Sequence, residues 1–439
     1  MILKNVYKFI KNKNVYKFVF YQLISIILFG YFSDYGGADL NINNKTSNQI
    51  NHYYPMYQDV NIMIFIGFGF LMTFSAKYSF TASTFNLLIS VLTIQYSILI
   101  NGLMHNIFKN EWNIINLDIR NLISADFACG CLLITYGSLL GKISFTQLLL
   151  LIPLELVFYA INENICVNCF QSVDMGGSLV VHLFGALFGV SVSFMITDFN
   201  KIKNVKFESN KNTDLFALIG TLFLFCYWPS FNGAFAQGSS QNRVVINTVL
   251  SLCSSCISAF FMSKILSENN KFNIILLQNA TLAGGVAVGS SSDLVIKPAG
   301  AMLIGTIAGI LSVIGFEYIT PFLEKACKIH DTCGVLALHG IPGLLGGVSG
   351  AISAAIVDDY IYNEPISNIF PARIDGARSK GEQGLYQLYA ILTSIGIPII
   401  SGLITGFILK KATNDEEKYN EDKNNFEEVP TYDNNIDVI

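Results

Sequence analysis

Long apolar stretches recur along almost the whole chain, separated by short polar connections. Most of them match the roughly 18 to 25 apolar residues that a helix needs to cross a hydrocarbon core of about 30 Å. The pattern predicts twelve membrane-spanning helices, at residues 18–34, 59–76, 84–104, 121–141, 146–162, 174–197, 214–230, 244–263, 273–292, 299–316, 331–356 and 386–409. We therefore expect an all-α polytopic membrane protein whose transmembrane domain covers residues 1–411.

The first apolar stretch has two interpretations. Basic residues precede it, as they do in a cleaved signal peptide. No convincing small-residue cleavage site lies before the next polar stretch, so we predict a retained N-terminal helix.

Two of the predicted spans share a sequence pattern. They agree at Asp174 and Asp331, at Gly177 and Gly334, at His182 and His339, and at Gly189 and Gly346, always 157 positions apart. Five helix steps separate the two segments, so they cross the membrane in opposite directions. Inverted repeats of this kind place their site near the middle of the membrane, where the two halves meet. Among the twelve spans, the pattern predicts an inverted repeat of two five-helix halves, with the two histidines close together in the interior.

The composition agrees with a membrane protein. Of 439 residues, 52% are hydrophobic and only 13% are charged, which excludes an ordinary soluble domain. Nine acidic residues lie in the last 25 positions: Asp415, Glu416, Glu417, Glu421, Asp422, Glu427, Glu428, Asp433 and Asp437. We expect residues 412–439 to form an acidic, disordered cytoplasmic tail.

The distribution of basic residues predicts the orientation. Lys and Arg favour cytoplasmic loops near the ends of spans, and most of them lie on one side when the N-terminus is placed inside. Both termini are therefore expected in the cytoplasm, in a plasma membrane or an endomembrane such as the vacuolar one. The glycosylation sequence at Asn44 then lies in the first external loop.

The sequence has no pattern typical of an enzyme or a metalloprotein. No second CxxC with histidines at ligand spacing is present, nor a nucleophile–base set or a phosphate-binding loop, so we expect no metal, cofactor, catalytic residues or nucleic-acid partner. Cys166 and Cys169 are either linked by a local disulfide or, as we favour, free.

Several polar residues have a structural interpretation beside a functional one. A lone membrane histidine is often satisfied by a backbone carbonyl, but two histidines matched by a repeat favour a function. Asp174 and Asp331 either cap helix ends or contact the solute. Glu155 and Glu163 are either structural or next to a pore. The other histidines, which we expect in solvent, are His52, His105 and His330.

Six stretches resemble the Rh glycoprotein branch of the ammonium transporter superfamily, in order from about residue 53 to 410. They read YYPMYQDVNIMIFIGFGFLMTF, DMGGSLVVHLFG, YWPSFN, QNATLAGGVAVG, GFEYITPFLE and DTCGVLALHGIPGLLGG. The resemblance implies a homotrimer with one pore in each subunit, and it implies the extra N-terminal helix.

The resemblance also implies roles for individual residues. His182 and His339 match the paired pore histidines, and Phe127 and Phe231 match two stacked gate phenylalanines. Asp174 matches the acid beneath the outer vestibule, and Asp331 resembles its counterpart at the inner mouth. The ammonium-transporting branch has a Trp in the helix around 146–162; the tryptophans here are Trp112 and Trp228, so an outer cation–π site is not implied.

These residues suggest conduction of ammonia rather than ammonium. An unpaired ion costs many kcal/mol in an apolar lumen, whereas neutral NH₃ loses little on entering it. Burial disfavours charged imidazoles, and a neutral pair has donors and acceptors for NH₃. The alternatives are an electrogenic or ion-coupled transporter, a carbon dioxide channel, and, less favoured, a non-conducting membrane scaffold.

Overall fold

The computed structural model describes residues 13–35, 46–199, 209–362, 365–412 and 422–427. Eleven helices in these ranges are long and apolar enough to span a membrane. They are α2 (Ile50–Phe74), α3 (Ser79–Lys109), α4 (Ile119–Leu139), α5 (Phe145–Cys169), α6 (Ser178–Ile196), α7 (Lys211–Gly233), α8 (Ser239–Leu266), α9 (Ile274–Ser291), α10 (Lys297–Cys327), α11 (Leu336–Ile356) and α12 (Lys380–Ala412). Helix α1 (Lys13–Phe32) precedes them, and its apolar part, Tyr16–Phe32, is shorter. The predicted all-α polytopic fold is confirmed.

Several helices begin or end beyond the apolar stretch that predicted them. Helix α3 extends the predicted span 84–104 at both ends. Polar residues fix some of the starts: the Asp118 carboxylate accepts from the Asn121 backbone N–H at the start of α4, while the Asn121 side chain accepts from the Asp118 N–H. Such reciprocal capping satisfies backbone donors that the first turn leaves unpaired. The apolar pattern marks the part of the helix that lies in lipid, and capping residues mark its end.

Helix α1 packs on α3 through polar contacts. The Ser25 hydroxyl donates to the Gln95 side-chain oxygen at 2.9 Å, and the Tyr96 hydroxyl donates to the Tyr21 carbonyl at 2.7 Å. Hydrogen bonds between helices help association in lipid, where apolar surface alone supplies no drive. The first apolar stretch is thus an integral part of the described bundle.

Glycines allow α10 to approach α8 closely. A Cβ at Gly305 would lie 2.1 Å from the Ser251 carbonyl oxygen, and one at Gly309 would lie 2.1 Å from the Ser258 hydroxyl. Any side chain at these positions would force the helices apart.

Two short strands are the exception to the helical fold within the described residues. β1 (Ser33–Tyr35) follows α1 and pairs in parallel with β2 (Ile115–Leu117), which precedes α4. The pair joins the connection after α1 to the connection between α3 and α4.

One part of the acidic tail is described and contacts the bundle. A short helix, α13 (Asp422–Asn425), places the buried Asp422 carboxylate against the start of α3, where it accepts from the backbone N–H groups of Phe80 and Thr81 at 2.9 and 2.8 Å. The remaining tail residues and the glycosylation candidate Asn44 lie outside the described residues. Disorder of the tail and glycosylation stay predictions.

Candidate functional site

Two turns with similar capping hydrogen bonds begin the helices that carry the matched histidines. The Asp174 turn (residues 174–177) precedes α6, and the Asp331 turn (residues 331–334) precedes α11. The Asp174 carboxylate accepts from the backbone N–H groups of Leu179 and Val180 at 3.0 and 2.9 Å. The Asp331 carboxylate accepts from those of Val335 and Leu336 at 3.0 and 2.9 Å. Of the two interpretations, both aspartates therefore cap helices in the structure.

A glycine closes each turn in a left-handed conformation. Gly177 has φ +66° and Gly334 has φ +68°. This region is strained for residues with a Cβ, so the turns require glycine. The same two positions appeared in the repeated sequence pattern, which now has a structural cause.

Each turn leads into a short π-helical segment that contains the histidine. Residues Ser178–Leu183 and Leu336–Gly340 have this wider winding. Single π-helical turns are rare in proteins overall, and those that occur are often found at functional sites. The winding was not predicted, because the periodicity of an apolar segment does not distinguish it from α-helix.

The two histidines meet in the interior. His182 Nδ1 lies 3.2 Å from His339 Nδ1, with the ring centroids 5.2 Å apart and the ring planes 8° from parallel. Both side chains are buried, with 1% and 3% of their surface exposed. The two Nδ1 atoms share one hydrogen bond, so one ring donates and the other accepts. The histidine pairing predicted from the repeat agrees with this geometry.

A line of rings continues from the pair in both directions. Phe231 lies 5.7 Å from His182 between ring centroids, and Phe127 lies 4.5 Å from Phe231. On the other side, the Phe68 ring stacks on His339 at 6.1 Å. The two predicted gate phenylalanines are adjacent, but they are tilted by 43° rather than stacked in parallel.

A large cavity opens at one end of this line. The Asp174 mouth has a volume of about 970 Å³ and is lined by Phe127, Glu163 and Asp174, among other residues. Glu163 therefore lines this cavity, which favours the second of its two interpretations. Glu155 has the structural role, since it is fully buried and accepts from the Thr135 hydroxyl at 2.6 Å.

A smaller cavity opens at the other end. The Asp331 mouth has a volume of about 210 Å³ and is lined by Phe68, Asp331 and His339, among other residues. The line of rings thus separates two cavities, with Phe127 at the first and His339 at the second.

The expectation that His330 lies in solvent was wrong. The side chain is 8% exposed, and its Nδ1 lies 3.1 Å from the Lys142 Nζ atom. Lys142 itself is fully buried. A lysine in a short polar connection is usually expected to be a solvent-exposed charge on the cytoplasmic side. His105, by contrast, is exposed and lines the Asp174 mouth, and His52 is partly exposed.

The tryptophans do not form a site at the Asp174 mouth. Trp112 is 73% exposed and does not line the cavity, and Trp228 is buried against His182, with ring centroids 5.7 Å apart. Cys166 and Cys169 are free thiols, as we favoured. In the described ranges, no group of three or more His, Cys, Asp or Glu side chains is arranged to hold a metal ion.

Comparisons with known proteins identify the family of this chain. The family model of the Ammonium Transporter Family matches residues 19–431. Ammonium transporter Rh type B-A of Xenopus laevis is 43% identical over 401 residues, covering 89% of this chain and 86% of that protein. Ammonium transporter Rh type C of Rattus norvegicus is 39% identical over 403 residues, covering 89% and 80%.

Solved structures show the same fold. The Rh50 channel of Nitrosomonas europaea superposes with a TM-score of 0.70 and 30% identity, covering 87% of this chain and 93% of that one. The Candida albicans Mep2 protein superposes with a TM-score of 0.68, but at 18% identity it supports the fold alone. This chain is thus a multi-pass integral membrane protein, not an enzyme, and it belongs to the Rh branch of the ammonium transporter family.

Proposed function

We propose that the protein is a channel for neutral ammonia, in which His182 and His339 line the narrowest, driest part of the pore. The observation that carries the proposal is the buried histidine pair in line with Phe127, Phe231 and Phe68, between two cavities. Names of relatives that describe them as ammonium transporters support the choice of solute.

The aromatic section favours a neutral solute. Ammonium would exchange its hydration shell for phenylalanine rings and two imidazoles, and the loss of hydration is not repaid by a counter-charge. Ammonia is small and uncharged, so its penalty is far lower. A neutral imidazole pair supplies polar contacts inside an otherwise apolar tube.

The Asp174 mouth is proposed to collect ammonium. Glu163 and Asp174 line it, and carboxylates favour a cation nearby. Ammonium releases its proton to water in this mouth, and NH₃ passes Phe127 and Phe231 and then the histidines. At the Asp331 mouth NH₃ takes a proton from water, so no charge crosses the protein.

The remaining assignments follow from the positive-inside distribution and the resemblance. The Asp174 mouth faces outside and both termini face the cytoplasm, in a plasma or vacuolar membrane. The protein assembles as a homotrimer in the bilayer and carries a glycan at Asn44. Carbon dioxide, which is also neutral, is a second solute for the same passage.

Stopped-flow flux into proteoliposomes tests the proposal. The concentration of NH₃ is varied at fixed ammonium by changing total ammonium and the pH at the Asp174 mouth together. Ammonium is then varied at fixed NH₃ in the same way, and the pH at the Asp331 mouth is held at one value throughout. We expect the protein-dependent flux to follow NH₃ in the first series and to stay constant in the second. Flux that follows ammonium in the second series contradicts the proposal, and a parallel series with carbon dioxide separates the two gases.

A further inference from the structure

A fully buried lysine lies beside the Asp331 mouth. Lys142 is in the short connection between α4 and α5, and none of its side-chain surface is exposed. Its Nζ atom lies 2.7 Å from the Ser193 hydroxyl, 2.6 Å from the His330 carbonyl oxygen and 3.1 Å from His330 Nδ1. We call Lys142, Ser193 and His330 the Lys142 cluster. Lysines are almost never fully buried unless such partners are present.

The cluster holds the chain immediately before the Asp331 turn. The Ser193 hydroxyl also donates to the His330 carbonyl, at 2.6 Å. Further along, the Thr332 hydroxyl lies 3.1 Å from the Leu140 carbonyl oxygen, and the Cys333 N–H donates to the Gly137 carbonyl at 3.2 Å. Residues 137–142 of the first half therefore fix residues 330–333 of the second half. Since Asp331 caps the helix that carries His339, a change at Lys142 reaches the pore through this turn.

Lys142 changes its charge within the physiological range. Burial lowers the pKa of Lys142 to about 7, against the opposing pull of Asp331, Cys333 and Glu324. Burial, followed by the neighbouring Lys142 charge, lowers the pKa of His330 to about 3, so the imidazole stays neutral. Among the described residues, Asp331, Cys333, Glu324 and His330 are the titratable groups that act on Lys142, and the neighbour from α6 is the uncharged Ser193.

The neutral imidazole can partner either form of the lysine. An ammonium group has three donors and needs His330 Nδ1 as an acceptor, whereas a neutral amine accepts from an Nδ1–H tautomer. The three contacts thus persist, but the positive charge near Asp331 does not. A nearby cation favours the ionised form of the Asp331 carboxyl group, and the ionised form accepts stronger hydrogen bonds from the backbone N–H groups of Val335 and Leu336 than the protonated form does.

We propose that Lys142 is a positioning residue for conduction: its ammonium form holds the Asp331 turn in the geometry that sets His339, and loss of its proton lowers ammonia flux. The proposal rests on the proposed function as an ammonia channel. It makes conductance sensitive to the pH at the Asp331 mouth, which the orientation places in the cytoplasm.

The test uses the full chain in proteoliposomes whose internal and external pH are set separately. Orientation is measured by protease access to an N-terminal tag, and NH₃ is held constant while the pH at the Asp331 mouth is raised from 6 to 8. We expect wild-type flux to fall by about two- to fivefold, with a midpoint near the pKa of Lys142, about 7. A flat wild-type profile overturns the proposal.

Variants separate positioning from simple structural support. Lys142→Met removes the charge and keeps the apolar stem, so we expect low flux without a step in pH. His330→Gln offers a carbonyl acceptor that favours the ammonium form, so we expect the step to move to higher pH, and this variant serves if Lys142→Met does not fold. Lys211→Met makes the same substitution at an exposed lysine and should keep the wild-type profile.

The outcomes distinguish the two proposals. A folded Lys142→Met protein that retains the wild-type step contradicts the role of Lys142 but not ammonia conduction. Wild-type vesicles without NH₃ flux at any pH contradict both.

Discussion

The Asp174 turn and the Asp331 turn share a backbone hydrogen-bond arrangement, but different side chains surround them. In both, an aspartate caps the histidine helix, and a backbone N–H two residues further on donates to a glycine of the other half: Gly176 to Gly289 at 3.0 Å, and Cys333 to Gly137 at 3.2 Å. At the Asp174 turn the carboxylate also accepts from the neutral Ser290 hydroxyl. At the Asp331 turn, the Lys142 Nζ atom instead contacts His330, at 3.1 Å from its Nδ1 atom and 2.6 Å from its carbonyl oxygen. The repeat thus preserves the geometry that sets the histidines, while the surrounding contacts make one end titratable.

The mouths beyond the turns differ in size as well. The Asp174 mouth is about 970 Å³ and the Asp331 mouth about 210 Å³. A wide, acidic entrance suits collection of a cation, and a narrow exit places the second histidine close to the surrounding solvent. Symmetry of the fold therefore does not require symmetry of function.

Removing either histidine gives the largest expected effect. His182→Ala or His339→Ala leaves the other Nδ1 unpaired and makes the passage wholly apolar at that depth. We expect ammonia flux to fall by about tenfold or more, which corresponds to roughly 1.4 kcal/mol or more in the barrier. Stopped-flow flux on variants that elute like the wild type from a sizing column is the measurement. His52→Ala changes a histidine outside the line of rings and should retain the wild-type flux. Unchanged flux in both His182→Ala and His339→Ala would contradict a role of the histidine pair in conduction.

The glycines of the two turns should differ in their tolerance of a side chain. Alanine at either adopts a strained left-handed conformation, at about 1–2 kcal/mol. A Cβ at Gly334 would also lie 2.0 Å from the Phe316 ring, and one at Gly177 would lie 2.7 Å from Val181. Gly376 is the control for backbone strain without a steric clash, because its φ is +73° and a Cβ there would have no heavy atom within 4 Å. We expect thermal stability in detergent to fall most for Gly334→Ala, less for Gly177→Ala and least for Gly376→Ala. The reverse order would show that the two turns shift enough to relieve these steric clashes.

Acid should weaken the Asp331 turn through His330, and this is the smallest expected effect. The folded-state pKa of His330, about 3, lies below its ordinary value of 6.5. Between these values the unfolded chain binds more protons than the folded one, so this residue's contribution to stability is lost as pH falls through that window. Between pH 7.5 and pH 5 the loss amounts to about 1–2 kcal/mol.

The matched comparison is the melting temperature of wild type and His330→Gln at the two pH values. The difference between the proteins reports His330 together with its effect on Lys142, because Asp174, Asp331 and Glu163 are common to both. An equal drop on acidification would mean that His330 takes up its proton without unfolding.

The sequence contained enough information for the fold and for the histidine pair. The apolar stretches predicted the spans, and the constant spacing of Asp, Gly and His in two segments predicted that the imidazoles meet. It did not contain the tilt of Phe127 against Phe231 or the π-helical turns, since both depend on packing between segments distant in the chain. His330 was misjudged for a physical reason: it lies in a short polar connection, where exposure is the usual outcome, and only the folded turn buries it against Lys142.

The most direct test of the central claim compares the electrical current that the protein carries with its ammonia flux. Current is recorded from proteoliposomes on a solid-supported membrane during an ammonium pulse, alongside the ammonia flux of the same preparation. The account predicts protein-dependent flux with no protein-dependent steady current, because only NH₃ crosses the passage between the two mouths. A saturable current that rises with ammonium at constant NH₃, and that His182→Ala or His339→Ala removes, would contradict it.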